Sequence, residues 1–214
     1  DEAFVEPCLS LDGLARLQLG ARNELPQSVI AALETASRRR PDFHGFLATL
    51  GQAHLDSGNL RKGREALEKF AALSVQSRDP AVAGALVRLA GVRHTSGDKE
   101  GAYQLLKDAA SRFPGDAAVL ESLGLCHIEH GHLAAAERCW RKVLEEHPRR
   151  PRTLSNLAAL LARRGDRQRA RILHERSVET EDAPAEVWRR TVDFLLEEKD
   201  RDAADETATR WAET

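Results

Sequence analysis

Three glycines, Gly97, Gly131 and Gly165, stand 34 residues apart, and two prolines, Pro114 and Pro148, keep the same interval. Leu86, Leu120, Leu154 and Trp188 recur on it as well, and Leu89, Leu123 and Leu157 lie three residues after the first three. A fixed period of this length constrains the fold more than any composition figure. Each period has to be one supersecondary unit that buries its apolar face only against its neighbours. Gly58 lies 39 residues before Gly97, the same period lengthened by five, with Leu47 and Leu50 in the matching places ahead of it.

Inside a period the spacing is helical. Leu120, Leu123, Gly124 and His127 follow i, i+3, i+4, i+7, one face of an α-helix, and Leu133, Ala136, Trp140, Val143 and Leu144 form a second amphipathic run. The glycine between the runs falls where a helix C-terminus needs positive φ. The residue after it is Asn59, Asp98, His132, Asp166 or Asp200, and four of these five are favoured N-caps for the next helix. Pro114 and Pro148 close their units, because proline cannot continue a helix. Each unit therefore reads as a helical hairpin.

These residues resemble the tetratricopeptide repeat (TPR) family, whose 34-residue signature asks for small residues at its eighth and twentieth positions. Here the eighth position holds Gly51, Ala90, Gly124 and Ala158, and the twentieth holds Gly63, Ala102, Ala136, Ala170 and Ala204. All nine are Gly or Ala, which lets the two helices of a hairpin approach closely. A larger side chain there costs about 1–3 kcal/mol of overpacking. The eleventh position departs from the family's tyrosine: it is His54, Arg93, His127, Leu161 and Leu195. Thr191, Val192 and Lys199 replace Leu, Gly and the turn glycine in the last unit, a degenerate and acidic one. Its Trp188, together with the Arg171–Arg176 run, also resembles the half-a-TPR repeats of RNA-processing scaffolds.

The resemblance implies an all-α fold, a right-handed superhelical solenoid of antiparallel helix pairs. The expected divisions are 1–42, a diverged helical pair carried by Leu14, Leu17, Ala21, Val29, Ile30 and Leu33; 43–82, with the insertion; then 83–116, 117–150, 151–184 and 185–214.

Composition removes several alternatives. The longest apolar run, Leu157–Ala162, has six residues against the ~18 needed to span a bilayer. Net charge is −2, so no global field recruits nucleic acid or an anionic surface. Cys8, Cys126 and Cys139 fit neither a disulfide framework nor a CxxC motif. No basic n-region opens the chain, and the lack of any Met points to a piece of a longer protein, so the compartment stays open. No GxSxG, HExxH, P-loop or GxGxxG occurs, so no catalytic residue and no cofactor is expected. His127, His130 and His132 with Cys126 raise the question of metal, but core and cap roles account for them and no metal is expected.

Residues 138–176 hold twelve basic side chains against four acidic, and 179–214 hold twelve acids against five bases. The basic stretch lacks the interleaved aromatics of single-strand binding, so nucleic acid is not the expected partner. The family resemblance implies instead a concave groove lined by the first helix of each hairpin. Carried over position by position, the partner-binding candidates are Gln52, Val87, His94, Glu121, Leu125, Ile128, Arg152, Ser155, Ala159, Arg163 and Arg189. The Lys and Asn pattern with which TPR co-chaperones grip a heat-shock chaperone C-terminus is missing from all three possible windows, for example at Val87, Gly91, Ser122, Arg152 and Asn156. The expected function is a non-enzymatic scaffold that takes a partner peptide or helix. A half-a-TPR scaffold, a regulatory arm of an enzyme or of an envelope or polysaccharide-export machine, and a self-assembling array are the alternatives.

Overall fold

The computed structural model describes residues 27–39, 46–77, 79–180 and 183–213. Among the described residues there are eleven α-helices and no strand. They are α1 (Gln27–Arg39), α2 (Leu47–Asp56), α3 (Leu60–Leu73), α4 (Pro80–Thr95), α5 (Lys99–Arg112), α6 (Ala117–Glu129), α7 (Leu133–Glu146), α8 (Pro151–Arg163), α9 (Arg167–Ser177), α10 (Ala185–Glu197) and α11 (Arg201–Ala212). The chain divides into two compact units, Asp1–Val119 and Leu120–Thr214. The expected Leu14–Leu17–Ala21 stripe lies outside the described residues.

One turn recurs between the helices of each pair. Gly58, Gly97, Gly131 and Gly165 adopt φ of 75°, 90°, 74° and 85°. The amide three places past the last helical residue then reaches back five residues: Asn59 N to His54 O at 2.8 Å, Asp98 N to Arg93 O at 2.9 Å, His132 N to His127 O at 2.8 Å and Asp166 N to Leu161 O at 3.0 Å. This is the Schellman closure, and it answers carbonyls that a helix end leaves unpaired. The same residue then opens the next helix. Asn59, Asp98, Asp166 and Asp200 accept from Lys62 N, Gly101 N, Arg169 N and Ala203 N, whereas His132 makes no side-chain cap. All four carboxyl or amide caps are the ones the sequence singles out, because only those side chains carry an acceptor at that reach.

Packing explains the small residues. A Cβ built on Gly51 would sit 2.7 Å from Leu67 Cγ, and one on Gly124 would enter the indole of Trp140. Trp140 is 2% exposed and its Nε1 donates to Glu121 O at 3.3 Å, so the ring lies directly on the backbone of α6. Ala102, Ala136, Ala158 and Ala170 are wholly buried. In the first unit Leu67, Phe70, Leu86, Leu89 and Val119 belong to one core, and Ile30, Leu33, Phe46 and Leu50 to another. In the second unit Trp140, Leu157, Leu160, Leu161, Phe194 and Leu195 share a core.

Candidate functional site

In the Leu120–Thr214 unit the first helices of the hairpins are α8, α10 and the part of α6 from Leu120 on, and they carry most of the predicted contact residues. Glu121 is not a free carboxylate. Arg150 Nε donates to its Oε1 at 2.8 Å and Nη2 to its Oε2 at 3.0 Å, and Thr153 Oγ1 also donates to Oε1. A guanidinium fork of this kind fixes geometry as well as charge, and it ties α6 to the start of α8. One hairpin further on, Arg152 pairs with Glu186 at 3.0 Å and Arg190 Nη1 donates to Asn156 Oδ1 at 2.8 Å. Both pairs are 34 residues apart, so equivalent positions on successive first helices stand side by side. Arg152 and Glu186 are well exposed, and such a pair contributes little to stability.

Other candidates fall into three groups. Leu125 is 48% exposed, and Arg163 and Arg189 are exposed, their side chains taking no part in an ion pair or hydrogen bond among the described residues. Ala159 is half-buried, and Ile128 packs half-buried against the Trp140 and Leu157 core. Ser155 corrects the expectation: its exposure is zero and its hydroxyl has no hydrogen-bond partner among the described residues. Arg189, at the same fifth position one repeat on, is exposed, whereas Ser155 is covered within its own stack and offers no surface to a partner.

In the Asp1–Val119 unit, Gln52 Nε2 donates to Asp56 Oδ1 at 2.6 Å one turn on. Val87 packs half-buried against the Leu86–Leu89 core and His94 is half-buried. This unit also carries a polar cluster at the α1–α2 contact. Lys62 Nζ approaches Glu34 Oε1 to 2.8 Å and His54 Nε2 lies 3.3 Å from the same oxygen. The Lys62 hydrogen bond holds the Glu34 carboxyl below its ordinary range, while burial pushes the His54 imidazole below its own.

Burial raises the Cys126 and Cys139 thiols, the reverse of what a nucleophile needs. His127 and His132 rings lie 5.8 Å apart and His130 and His132 rings 6.1 Å, but His130 Nδ1 sits 2.8 Å from Cys126 O. Among the described residues no group of three His, Cys, Asp or Glu is placed to hold a metal ion. No described helix is long and apolar enough to cross a membrane.

Comparison with known proteins settles the family. Two models, each described as tetratricopeptide repeat, match residues 48–117 and 93–160, together more than half of the chain. The chain belongs to the tetratricopeptide repeat family. A curated relative, "Probable biofilm formation methyltransferase WspC" of Pseudomonas putida KT2440, is 36% identical over 109 residues, 50% of this chain and 26% of that protein. The chain thus spans about a quarter of the length of the curated relative it matches. A chain solved in the functional characterization of Pseudomonas aeruginosa pilF superposes with a TM-score of 0.77 at 21% identity, covering 97% of this chain and 91% of that one. A chain of the APC/C hetero-tetramer Cut9–Hcn1 gives 0.68 at 17% identity over 94% of this chain and 42% of that one. At these identities the two structures show the fold alone, an all-α TPR fold. TPR proteins of this kind are protein-interaction scaffolds.

With the TPR register fixed, the basic run reads differently. Arg141 and Arg164 share Glu137, Arg150 takes Glu121, Arg152 takes Glu186, Arg167 takes Glu197 and Glu198, Arg169 takes Asp166, and Arg171 takes Glu175 and Asp200. Seven of the twelve cations are therefore engaged by carboxylates, most of them between neighbouring helices. Arg150 and Thr153 are functional neighbours the sequence reading missed. They lie 29 and 32 residues from Glu121, short of the 34-residue period that sets Arg152 beside Glu186, so the repeat spacing does not mark them.

Proposed function

We propose that the chain is a scaffold whose first-helix faces receive an extended or helical segment of another protein, the repeats 43–82, 83–116, 117–150, 151–184 and 185–214 acting as its modules. The observation that supports this reading is the mixed face of the Leu120–Thr214 unit. Leu125 on α6 and Leu196 on α10 stay about half exposed, at 48% and 49%, while Arg163 on α8 and Arg189 on α10 make no side-chain ion pair or hydrogen bond among the described residues. Around them Glu121, Arg152 and Asn156 already have partners on neighbouring helices, which leaves the leucines and the two arginines among the groups open to a partner. Apolar anchors beside fixed charges suit a partner helix or strand with acidic residues next to its apolar ones.

The test is affinity capture with wild type beside a Leu125→Glu, Arg163→Glu double variant. Both positions are exposed, so the variant keeps its fold, whereas Ile128→Glu would damage the core. Loss of specific partners in the double variant supports the reading; equal recovery of the same proteins overturns it.

A second reading rests on the relative's proportions. The matched stretch is a quarter of a protein named as a methyltransferase, which suits a TPR arm that recruits or regulates beside a catalytic domain. It leaves the recognition chemistry unchanged and adds no reaction to these residues.

A further inference from the structure

One recess in the Leu120–Thr214 unit shares no lining residue with the Leu125, Arg163, Arg189 and Leu196 face. Between α7 and α9, with α8 as its floor, runs an open trough of about 420 Å³. Leu157 and Leu161 form the bottom, and Leu144, Leu173 and Ile172 the walls. Arg141 and Glu145 stand on the α7 lip and Arg169 on the α9 lip.

Ile172 is the residue that needs explaining. α9 is the most polar helix of the unit, and its buried stripe is Ala170, His174 and Ser177. Ile172 is off that stripe and 50% exposed, between arginines at 169, 171 and 176. Single exposed apolar residues are ordinary, but one that walls a concave apolar trough rimmed by charge is a feature of binding sites. The lining covers one turn of α7, from 141 to 145, and one of α9, from 169 to 173, about 6 Å each. That is room for one or two bulky side chains, not for the length of a helix.

Charge selects the occupant. Glu137 is shared by two guanidiniums, Arg141 and Arg164, so one carboxylate answers two cations. Arg138 and Lys142, exposed on the same outer surface of α7, have no ion pair among the described residues, and Arg169 is 71% exposed with only a 3.4 Å contact to Asp166. Against these stands the single Glu145 on the lip. The rim keeps a cationic excess that the first-helix ladder of the same unit does not have.

We propose that this second-helix trough is a separate docking site for an acidic polypeptide segment, which seats one or two bulky apolar side chains on Leu157 and Leu161 while its carboxylates meet Arg141 and Arg169. The proposal does not rest on the first-helix face.

The probes are two labelled peptides of about 14 residues. Each carries a Leu pair spaced i, i+4, flanked by Glu in one and by Lys in the other, and anisotropy is read at low salt and at high salt. The Glu peptide should bind and weaken with salt, because the rim charge steers it. Ile172→Glu should weaken it by about tenfold or more and Arg169→Glu several-fold, in proteins whose helix content is checked by circular dichroism. The Leu125→Glu, Arg163→Glu variant should bind it as wild type does. Equal binding of the Lys peptide, loss only in the first-helix variant, or no binding up to millimolar peptide overturns the proposal. So does concentration-dependent self-association, or binding to phosphatidylglycerol vesicles, that Ile172→Glu abolishes, since the trough would then belong to a second copy or a lipid.

Discussion

The hairpins α6–α7 and α10–α11 reach the same turn from different residues. In the first, Gly131 takes the left-handed conformation at φ 74° and His132 N closes on His127 O at 2.8 Å. In the second, Lys199 takes it at φ 63° and Asp200 N closes on Leu195 O at 3.0 Å. The crossing differs as much. Gly124 makes room for Trp140 in the first, while Val192 and Ala208 hold the equivalent places in the second. Bulk has moved from one helix to the other. What the hairpin requires is a back-reaching amide at the turn and a filled crossing, and no single residue is obligatory for either.

The strongest way to break this equivalence is to empty the larger crossing. Trp140→Ala removes a side chain that is 2% exposed and touches both α6 and the core of its unit, and should cost about 3–5 kcal/mol in urea unfolding. A loss below about 1 kcal/mol would show that the α6–α7 crossing repacks as readily as the one built on Val192 and Ala208.

Acid should separate the hairpins next. His174, at the same repeat position as Trp140, is buried and its ring centroid lies 4.7 Å from that of Phe194 on α10. Burial, and then the charge of Arg190, lower its pKa to about 4 from an ordinary 6.5. The neutral form is the folded form, so the unfolded chain takes up the proton first as pH falls. The stability linked to this group is complete above pH 6.5, falls between 6.5 and 4, and is gone below; the loss is at most on the order of 3 kcal/mol. His174→Phe keeps the ring and removes the titration. Wild type should lose more stability than this variant between pH 7 and pH 4.5, and parallel losses would refute the assignment.

The repeat, the turns and the crossings were legible because each is a local rule expressed at a fixed interval. A glycine followed by Asn or Asp, and Gly or Ala at two positions per period, leave a trace in one chain without any partner. The contact residues were less legible. A family position says which way a Cα faces, not what its side chain meets, and Glu121 meets Arg150 while Ser155 meets the interior of its own stack. The trough left only a faint signal, the apolar pair Ile172-Leu173 in a helix where the buried stripe needs one. Long-range pairs such as Arg171 with Asp200, 2.7 Å apart, follow from hairpin stacking that charge counting along the chain does not reveal.

The turn itself gives a smaller contrast. A non-glycine residue in the left-handed region costs roughly 1–2 kcal/mol, part of which glycine would return through its freer unfolded chain. Lys199→Gly should therefore raise stability by about 1 kcal/mol, and Gly131→Lys should lower it by a similar amount. Opposite signs of nearly equal size would show that the two turns are one structure. A destabilising Lys199→Gly would show that the lysine side chain holds the α10–α11 turn by a contact of its own.

The smallest expected effect lies at the cap. Asn59, Asp98, Asp166 and Asp200 each accept a backbone amide of the helix that follows, and His132 alone does not, although its backbone at φ −82° and ψ 58° matches theirs. The conformation is already that of an N-cap and only the acceptor is missing. His132→Asp supplies an oxygen within reach of the Ala135 amide and places a negative charge at the positive end of α7. It also removes the imidazole from the His127 and His130 rings, which offsets part of the gain. The net increase should be about 0.5 kcal/mol at neutral pH and should vanish as the new carboxyl is protonated below about pH 4, since a carboxylate that stabilises the folded state does so only while ionised. Denaturation midpoints at pH 7 and pH 3.5 measure both. A gain that persists at pH 3.5 would mean that relief of histidine crowding, and not capping, distinguishes the α6–α7 turn from its four counterparts.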